Sequence, residues 1–253
     1  MRIDLRTCLL ATGLAIGLSS PVVPAAPPSS PVVVVVKVQK PWYAPDFLVV
    51  RKMRAALPQY RGIPGLSFKI FTIAQPGGEF GGIYLWRDRA SAQTWFSPAW
   101  YARVREERGV EPEVRMFDAV LMFDGTMSDD TALATAENAV VTLATYPTRA
   151  GTTPEAVRRG LVASSAIERK APGLLRAYAI DTGQGRVGGA YLWRDRAAAE
   201  RWFDAAWRKK ARELRGEEPR LEWFDAPILM PSSSPSNRAA EDAFRAESER
   251  AMR

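Results

Sequence analysis

The chain has 253 residues, no histidine, a single cysteine (Cys8) and a formal net charge of +7. The missing histidine removes the commonest general base, the usual haem ligand and most zinc and non-haem iron sites, and one cysteine allows no internal disulfide. The basic balance would suit nucleic acid, but the cations sit beside glutamates in runs such as REERG and RELRGEE; these read as solvated helix faces, so no nucleic-acid partner is expected.

At the start, Arg2 and Arg6 precede the apolar run CLLATGLAIGL, and Val23-Pro24-Ala25 offers small residues for cleavage. This is the three-part pattern of a secretory signal peptide over 1–25, with an apolar run too short to span a bilayer. The expected location is periplasmic or secreted, with the mature chain starting near Ala26 and no membrane partner after cleavage. A Pro/Ser spacer, 27–31, leads into VVVVVKV, a strand expected to be buried on both faces in the middle of a sheet. A helix is expected from Pro45 to Leu57. The strand SFKIFTI, a turn at Gly77-Gly78 and the strand GGIYLW follow, with Tyr84 and Trp86 on one face and Ile83 and Leu85 on the other. Gly81-Gly82 inside a strand suggests close backbone approach or a bulge. Asp88 suits a helix N-cap. Ala92, Trp95, Phe96, Ala99 and Trp100 then mark one helix face, with a kink expected at Pro98. The strand EVRMFDAVLM ends the unit, and 124–138 is polar or small enough for a linker.

The whole pattern recurs. Gly81 and Gly188, Trp95 and Trp202, Trp100 and Trp207, and Phe117 and Phe224 all stand 107 positions apart, a domain-sized repeat. The second copy has Ala205 opposite Pro98, so its helix is expected to run straight. Each copy reads strand, helix, strand, strand, helix, strand, the ferredoxin-like order. One sheet face of such a unit lacks a helical cover and needs a partner, which the tandem copy supplies.

The run PGLSFKIFT, then GGIYLWRDRASA, then MFD, resembles the YdhR family within the dimeric α/β-barrel superfamily, whose members are regarded as monooxygenases. The matching residues are Pro64, Gly65, Lys69, Gly81, Gly82, Tyr84, Leu85, Asp88, Ala90, Phe117 and Asp118. The second half matches at Pro172, Gly173, Gly188, Gly189, Tyr191, Leu192, Asp195, Phe224 and Asp225, but has Ala177 where Lys69 would recur. The expected fold is therefore α+β: two tandem ferredoxin-like (βαββαβ) domains, 32–123 and 139–230, joined by the linker 124–138 and forming an intrachain dimeric α/β barrel. A charged, alanine-rich tail over 231–253 is expected to be flexible or a solvated helix. Self-association beyond this pseudo-dimer is left open.

No metal site is expected, since no acidic cluster stands out and Asp129-Asp130 reads as a solvated turn; no cofactor is expected either. The resemblance implies a cofactor-independent monooxygenase acting on a small aromatic or quinol-like compound. Asp118, Tyr84 and Arg87 are the candidate catalytic residues. Lys69, Trp86, Met116, Tyr191, Trp193, Trp223 and Asp225 are the candidate ligand-binding residues. If the helices cover the Ile83–Leu85 face, the Tyr84–Trp86 face looks into the barrel and walls an apolar pocket; if not, the rings are core. An inward Asp118 beside such a pocket could act as a base; a bond to Arg87 or Arg194, or an outward turn, would tie it up. A non-catalytic exported binding protein for a small apolar ligand is the other reading. The Lys69/Ala177 difference places the working pocket in the first half.

Overall fold

The computed structural model describes residues 30–126, 128, 132–133 and 136–253. The expected leader, Asp129-Asp130 and part of the expected linker lie outside them.

Eight strands close into one antiparallel barrel in the order β1-β3-β2-β8-β5-β7-β6-β4. β1 is Val32–Gln39, β2 Leu66–Gln75, β3 Glu79–Trp86 and β4 Glu113–Asp124; β5 is Val140–Pro147, β6 Leu174–Asp181, β7 Arg186–Trp193 and β8 Arg220–Pro231. The five valines of β1 are fully or almost fully buried, as a strand flanked by β3 and β4 requires. Each half has the strand order of a ferredoxin-like sheet, and the two sheets are joined by hydrogen bonds. β8 pairs with β2 from Phe68 opposite Pro231 to Gln75 opposite Trp223. β4 pairs with β6 from Asp118 opposite Asp181 to Asp124 opposite Arg176. Closure leaves the barrel no free edge. Gly81 is needed where β1 and β3 touch, since a Cβ there would stand 2.0 Å from the Val36 carbonyl oxygen.

The barrel interior is filled by aliphatic side chains of both halves, among them Val33, Val35, Ile83, Leu85, Ile180 and Leu192. Eight strands enclose just enough room for such side chains. This settles strand parity against the pocket inside the barrel. The Tyr84–Trp86 face points outward, beneath the helices, and so does Tyr191–Trp193. The physical reason lies on the helices, whose aromatic stripe needs an aromatic floor. Phe96 meets Tyr84 edge-on at 5.4 Å and Trp100 at 4.9 Å, and Phe203 meets Tyr191 at 5.5 Å.

Helix α1 spans Asp46–Tyr60 and α4 spans Pro154–Glu168. The aromatic helix is two helices in both halves: α2 (Arg89–Trp95) and α3 (Pro98–Arg108), then α5 (Arg196–Trp202) and α6 (Ala205–Arg215). Asp88 and Asp195 cap the first of each pair. The straight helix expected in the second half is not formed, because the break does not depend on proline. Ser97 accepts from the Trp100 N–H and Asp204 from the Trp207 N–H, so each break is the N-cap of a new helix.

The tail is also different from expectation. Helix α7, Pro235–Ala251, lies against β2 and β4, with Phe244 on the barrel's interior core. Asn237 donates to the Ile63 and Leu66 carbonyls, both at 2.8 Å, and accepts from the Gly65 N–H at 3.0 Å. Ser248 accepts from the Met122 N–H at 2.9 Å. The composition read as solvated because the helix docks largely through buried polar groups.

Arg115 and Glu222 occupy equivalent places of the repeat, 107 positions apart. They form a two-pronged ion pair across the two halves, at 2.7 and 2.8 Å.

Candidate functional site

Lys69 lies mid-strand in β2 and points outward, under the helices of the first half. It is 1% exposed. Its Nζ lies 3.0 Å from the centre of the Tyr60 ring, 3.9 Å from Phe71 and 4.5 Å from Tyr84. Gly82 leaves space for the lysine stem: a Cβ there would come within 3.2 Å of Lys69 Cε. Among the described residues no carboxylate is ion-paired with the amine. Burial holds its pKa well below the usual lysine range, because a low-dielectric site disfavours the charged form. Cation–π attraction from the three rings offsets part of that cost when the amine is protonated. Burial also raises the Tyr84 and Tyr60 hydroxyls above the ordinary phenol value, Tyr84 strongly, and the two hydroxyls interact.

Two polar atoms in this layer lack a hydrogen-bond partner: the buried indole nitrogens of Trp86 and Trp95. Their rings are 6.4 Å apart, and Trp95 is 5.9 Å from Tyr60. Buried donors are normally paired, so orphans mark strain or a place where water or a ligand belongs.

The second half differs at these positions. Trp193 donates to Thr142 at 3.0 Å, where the first half has Val34 facing Tyr84 in the same register. Ala177 replaces Lys69. Glu168 stands where Tyr60 stands, and the Tyr191 hydroxyl donates to it at 3.1 Å. Burial raises the Glu168 carboxyl to about 7, against the opposing bonds from Tyr191 and Ser164. Tyr191 is pushed well above the phenol range by burial and by Glu168.

The remaining candidates lie elsewhere. Asp118 is half exposed, with 52% of its side chain open, and is paired with Arg89, not with Arg87 or Arg194. Arg87 pairs with Asp88 at 2.9 Å. Both line an open groove of about 1140 Å³ between the two halves, with Arg89, Ile63, Trp95, Arg158 and Phe244 among its walls. Asp118 is therefore not a base in a dry pocket. Met116 is partly buried in the first-half layer and Trp223 in the second. Asp225 accepts from the Gln75 side chain at 2.6 Å. The expected catalytic trio is thus divided, with Tyr84 in the sealed layer and Asp118 and Arg87 in the groove. Trp95 belongs to both places. It lines the groove, and its ring lies 5.9 Å from that of Tyr60, which carries the Lys69 amine on its face.

Arg176 was not singled out as a site residue, although its parity was legible: it points into the barrel, opposite in sense to Lys69. It is 2% exposed and pairs with Asp124 at 2.6 Å and with Glu241 of α7 at 2.7 Å. Tyr60 was also missed. Its signal was available in the alignment of the two halves, where it falls opposite Glu168.

No family model matches the chain, and no curated protein matches it. Solved structures do. An anthrone oxidase-like protein superposes with a TM-score of 0.55 at 11% identity, covering 81% of this chain and 94% of its own. A protein provisionally assigned as a monooxygenase from Fusobacterium nucleatum gives 0.57 at 9% identity, covering 80% and 95%. Another such protein, from Lactobacillus acidophilus, gives 0.55 at 9%, covering 80% and 97%. At these identities the likeness is one of fold alone: the chain shares the α+β barrel of these proteins.

Proposed function

We propose that the chain is a tandem, single-chain member of the YdhR-like dimeric α/β barrels. Its first half oxygenates a small aromatic or quinol-like compound without a cofactor, and Lys69 is the base. The observation that supports this is the buried Lys69 amine, ion-paired with no carboxylate among the described residues, beside the unbonded Trp86 and Trp95 indole nitrogens; in the second half the lysine is replaced by Ala177 and the Trp193 nitrogen is bonded to Thr142. Neutral Lys69 takes a proton from the substrate, and the rings of Tyr60, Phe71 and Tyr84 hold the resulting ammonium. The substrate carbanion beside it gives an electron to O2, and the two radicals combine to a peroxide at that carbon. Lys69 returns its proton, and loss of water with the remaining C–H proton leaves the carbonyl product. The water-poor surroundings strengthen the ion pair. Substrate reaches the amine from the groove when Trp95 moves aside. The likeness to an anthrone oxidase-like fold agrees with a flat aromatic substrate.

The test is oxygen uptake by metal-free protein with a panel of quinols and anthrones. Lys69→Met should abolish uptake, and Asp118→Asn should leave it within about threefold. Uptake unchanged in Lys69→Met would overturn the assignment.

A second reading rests on one specific observation: the protein's own rings already surround the amine. In that reading the protein holds a small apolar ligand in the groove and turns nothing over. Ligand binding with no oxygen uptake by any compound of the panel would select it. We further propose that the protein is exported, as the leader pattern suggests; N-terminal sequencing from the native cell, showing a start near Ala26, tests this.

A further inference from the structure

The loop between β1 and α1 carries the most exposed aromatic side chains among the described residues. Trp42 is 94% exposed, Tyr43 72% and Phe47, in the first turn of α1, 70%. Trp42 and Tyr43 meet edge-on at 5.8 Å, so they form a short apolar prong with nothing packed over it. The fold does not demand these rings. The second half makes the same strand-to-helix connection with Thr148, Arg149, Ala150 and Gly151 and places no aromatic there. Three large rings within six residues, all kept in water, are unfavourable unless something covers them.

The neighbouring charge says what that cover is. Arg51, Lys52 and Arg54 follow on α1, all exposed. None is ion-paired with a carboxylate among the described residues. The single acid of the segment, Asp46, is tied to Lys40. The prong is therefore followed along α1 by three exposed cations without a carboxylate partner among the described residues. A second copy of the chain would bring the same positive surface and be repelled. A single nucleic-acid strand needs parallel faces on which bases stack, whereas these rings stand at 88° to each other on a convex loop. An anionic lipid surface fits both features. Tryptophan and tyrosine settle at the headgroup level, and each Lys or Arg near an anionic leaflet raises affinity by about fivefold.

We infer that Trp42, Tyr43 and Phe47, with Arg51, Lys52 and Arg54, form a peripheral docking surface for anionic membranes. No helix among the described residues is long and apolar enough to cross a bilayer, so the contact is one of adsorption. This departs from the expectation of no membrane partner, because exposure of the rings is not readable from sequence. The inference is independent of the oxygenase reading.

The experiment is vesicle co-sedimentation at low and physiological salt. It uses both the full chain and the chain starting at Ala26, with phosphatidylcholine vesicles with and without phosphatidylglycerol. Binding only to the anionic vesicles is expected, weakened at least tenfold by the combined W42A, Y43A and F47A changes. Loss of roughly a hundredfold is expected for R51Q, K52Q and R54Q together. The emission difference between the parent and W42F should shift to shorter wavelength on binding. All these sites are exposed, and unchanged circular dichroism shows that the variants fold. The inference is overturned if anionic vesicles do not bind at low salt. It is overturned equally if the aromatic triple variant binds as the parent does. It is also overturned if a single-stranded oligonucleotide, but no vesicle, produces the Trp42 shift, or if the aromatic changes only dissolve a dimer.

Discussion

Glu168 gives the sharpest test of the energetics. Its carboxyl is held at about 7 by burial, while in the unfolded chain it returns to about 4.3. Below the unfolded value both states are protonated and the residue costs nothing. Between the two values the unfolded state releases its proton and the folded state keeps it, so stability falls as pH rises. The loss is about 1.4 kcal/mol per pH unit, and it is complete near pH 7. The full penalty is about 3 to 4 kcal/mol as an upper figure, since the residue is only partly buried as a whole. Glu168→Gln keeps an acceptor for the Tyr191 hydroxyl and removes the titration. Urea midpoints for parent and variant should coincide near pH 4.5 and separate steadily to pH 7.5, the variant being the more stable. The background in this window is quiet because the chain has no histidine, and the other carboxylates cancel in the difference. A constant difference between pH 4.5 and 7.5 would refute the reasoning.

Lys69→Met, which fills similar volume without a charge to desolvate, should raise stability by about 1 to 3 kcal/mol below the lysine's folded pKa, read from the same urea midpoints, while removing activity. Oxygen uptake by the parent should rise with pH and reach its plateau below the ordinary lysine range, because only the neutral amine accepts a proton and burial lowers its pKa. Glu241→Ala removes one of the two carboxylates that hold the buried Arg176, Asp124 remaining, and should cost about 1.5 to 3 kcal/mol, measured by thermal or chemical unfolding. Asn237→Ala leaves the Gly65 N–H without its acceptor and takes one donor from each of the Ile63 and Leu66 carbonyls; it should cost about 1 to 3 kcal/mol, with increased binding of a hydrophobic dye if α7 lifts from the barrel.

Much of the fold was legible because it rests on periodicity. The alternation of GGIYLW, the Asp88 and Asp195 caps and the twofold recurrence of Trp, Phe and Gly each have one local cause. Parity relative to the helices was not legible. Ile83–Leu85 and Tyr84–Trp86 are both apolar faces, and a sheet covered on both sides carries no polar mark to say which way it faces. The break before Pro98 was legible as a kink, whereas the one at Asp204 carries no proline and rests on a capping side chain alone. The docking of α7 escaped because a helix held by Asn237, Glu241 and Ser248 has the composition of a solvated one. The Lys69 layer was half legible. The Lys69/Ala177 exchange stood in the sequence, but the orphaned Trp86 nitrogen became visible only when Val34 was found where Thr142 stands.

The Arg115–Glu222 pair has a consequence for how the halves recognise each other. In an assembly of two identical units, equivalent residues this close to the axis would meet their own kind, arginine against arginine or glutamate against glutamate. At a partly exposed site the repulsion lies between about 1 kcal/mol in water and about 4 kcal/mol near a protein surface, and here it is exchanged for an attraction. Each half has thereby become a better partner for the other than for a copy of itself. The chain cut between its halves and co-expressed should reassemble as mixed pairs, and exchanging the two residues, Arg115→Glu with Glu222→Arg, should preserve that preference. Either change alone should erase it.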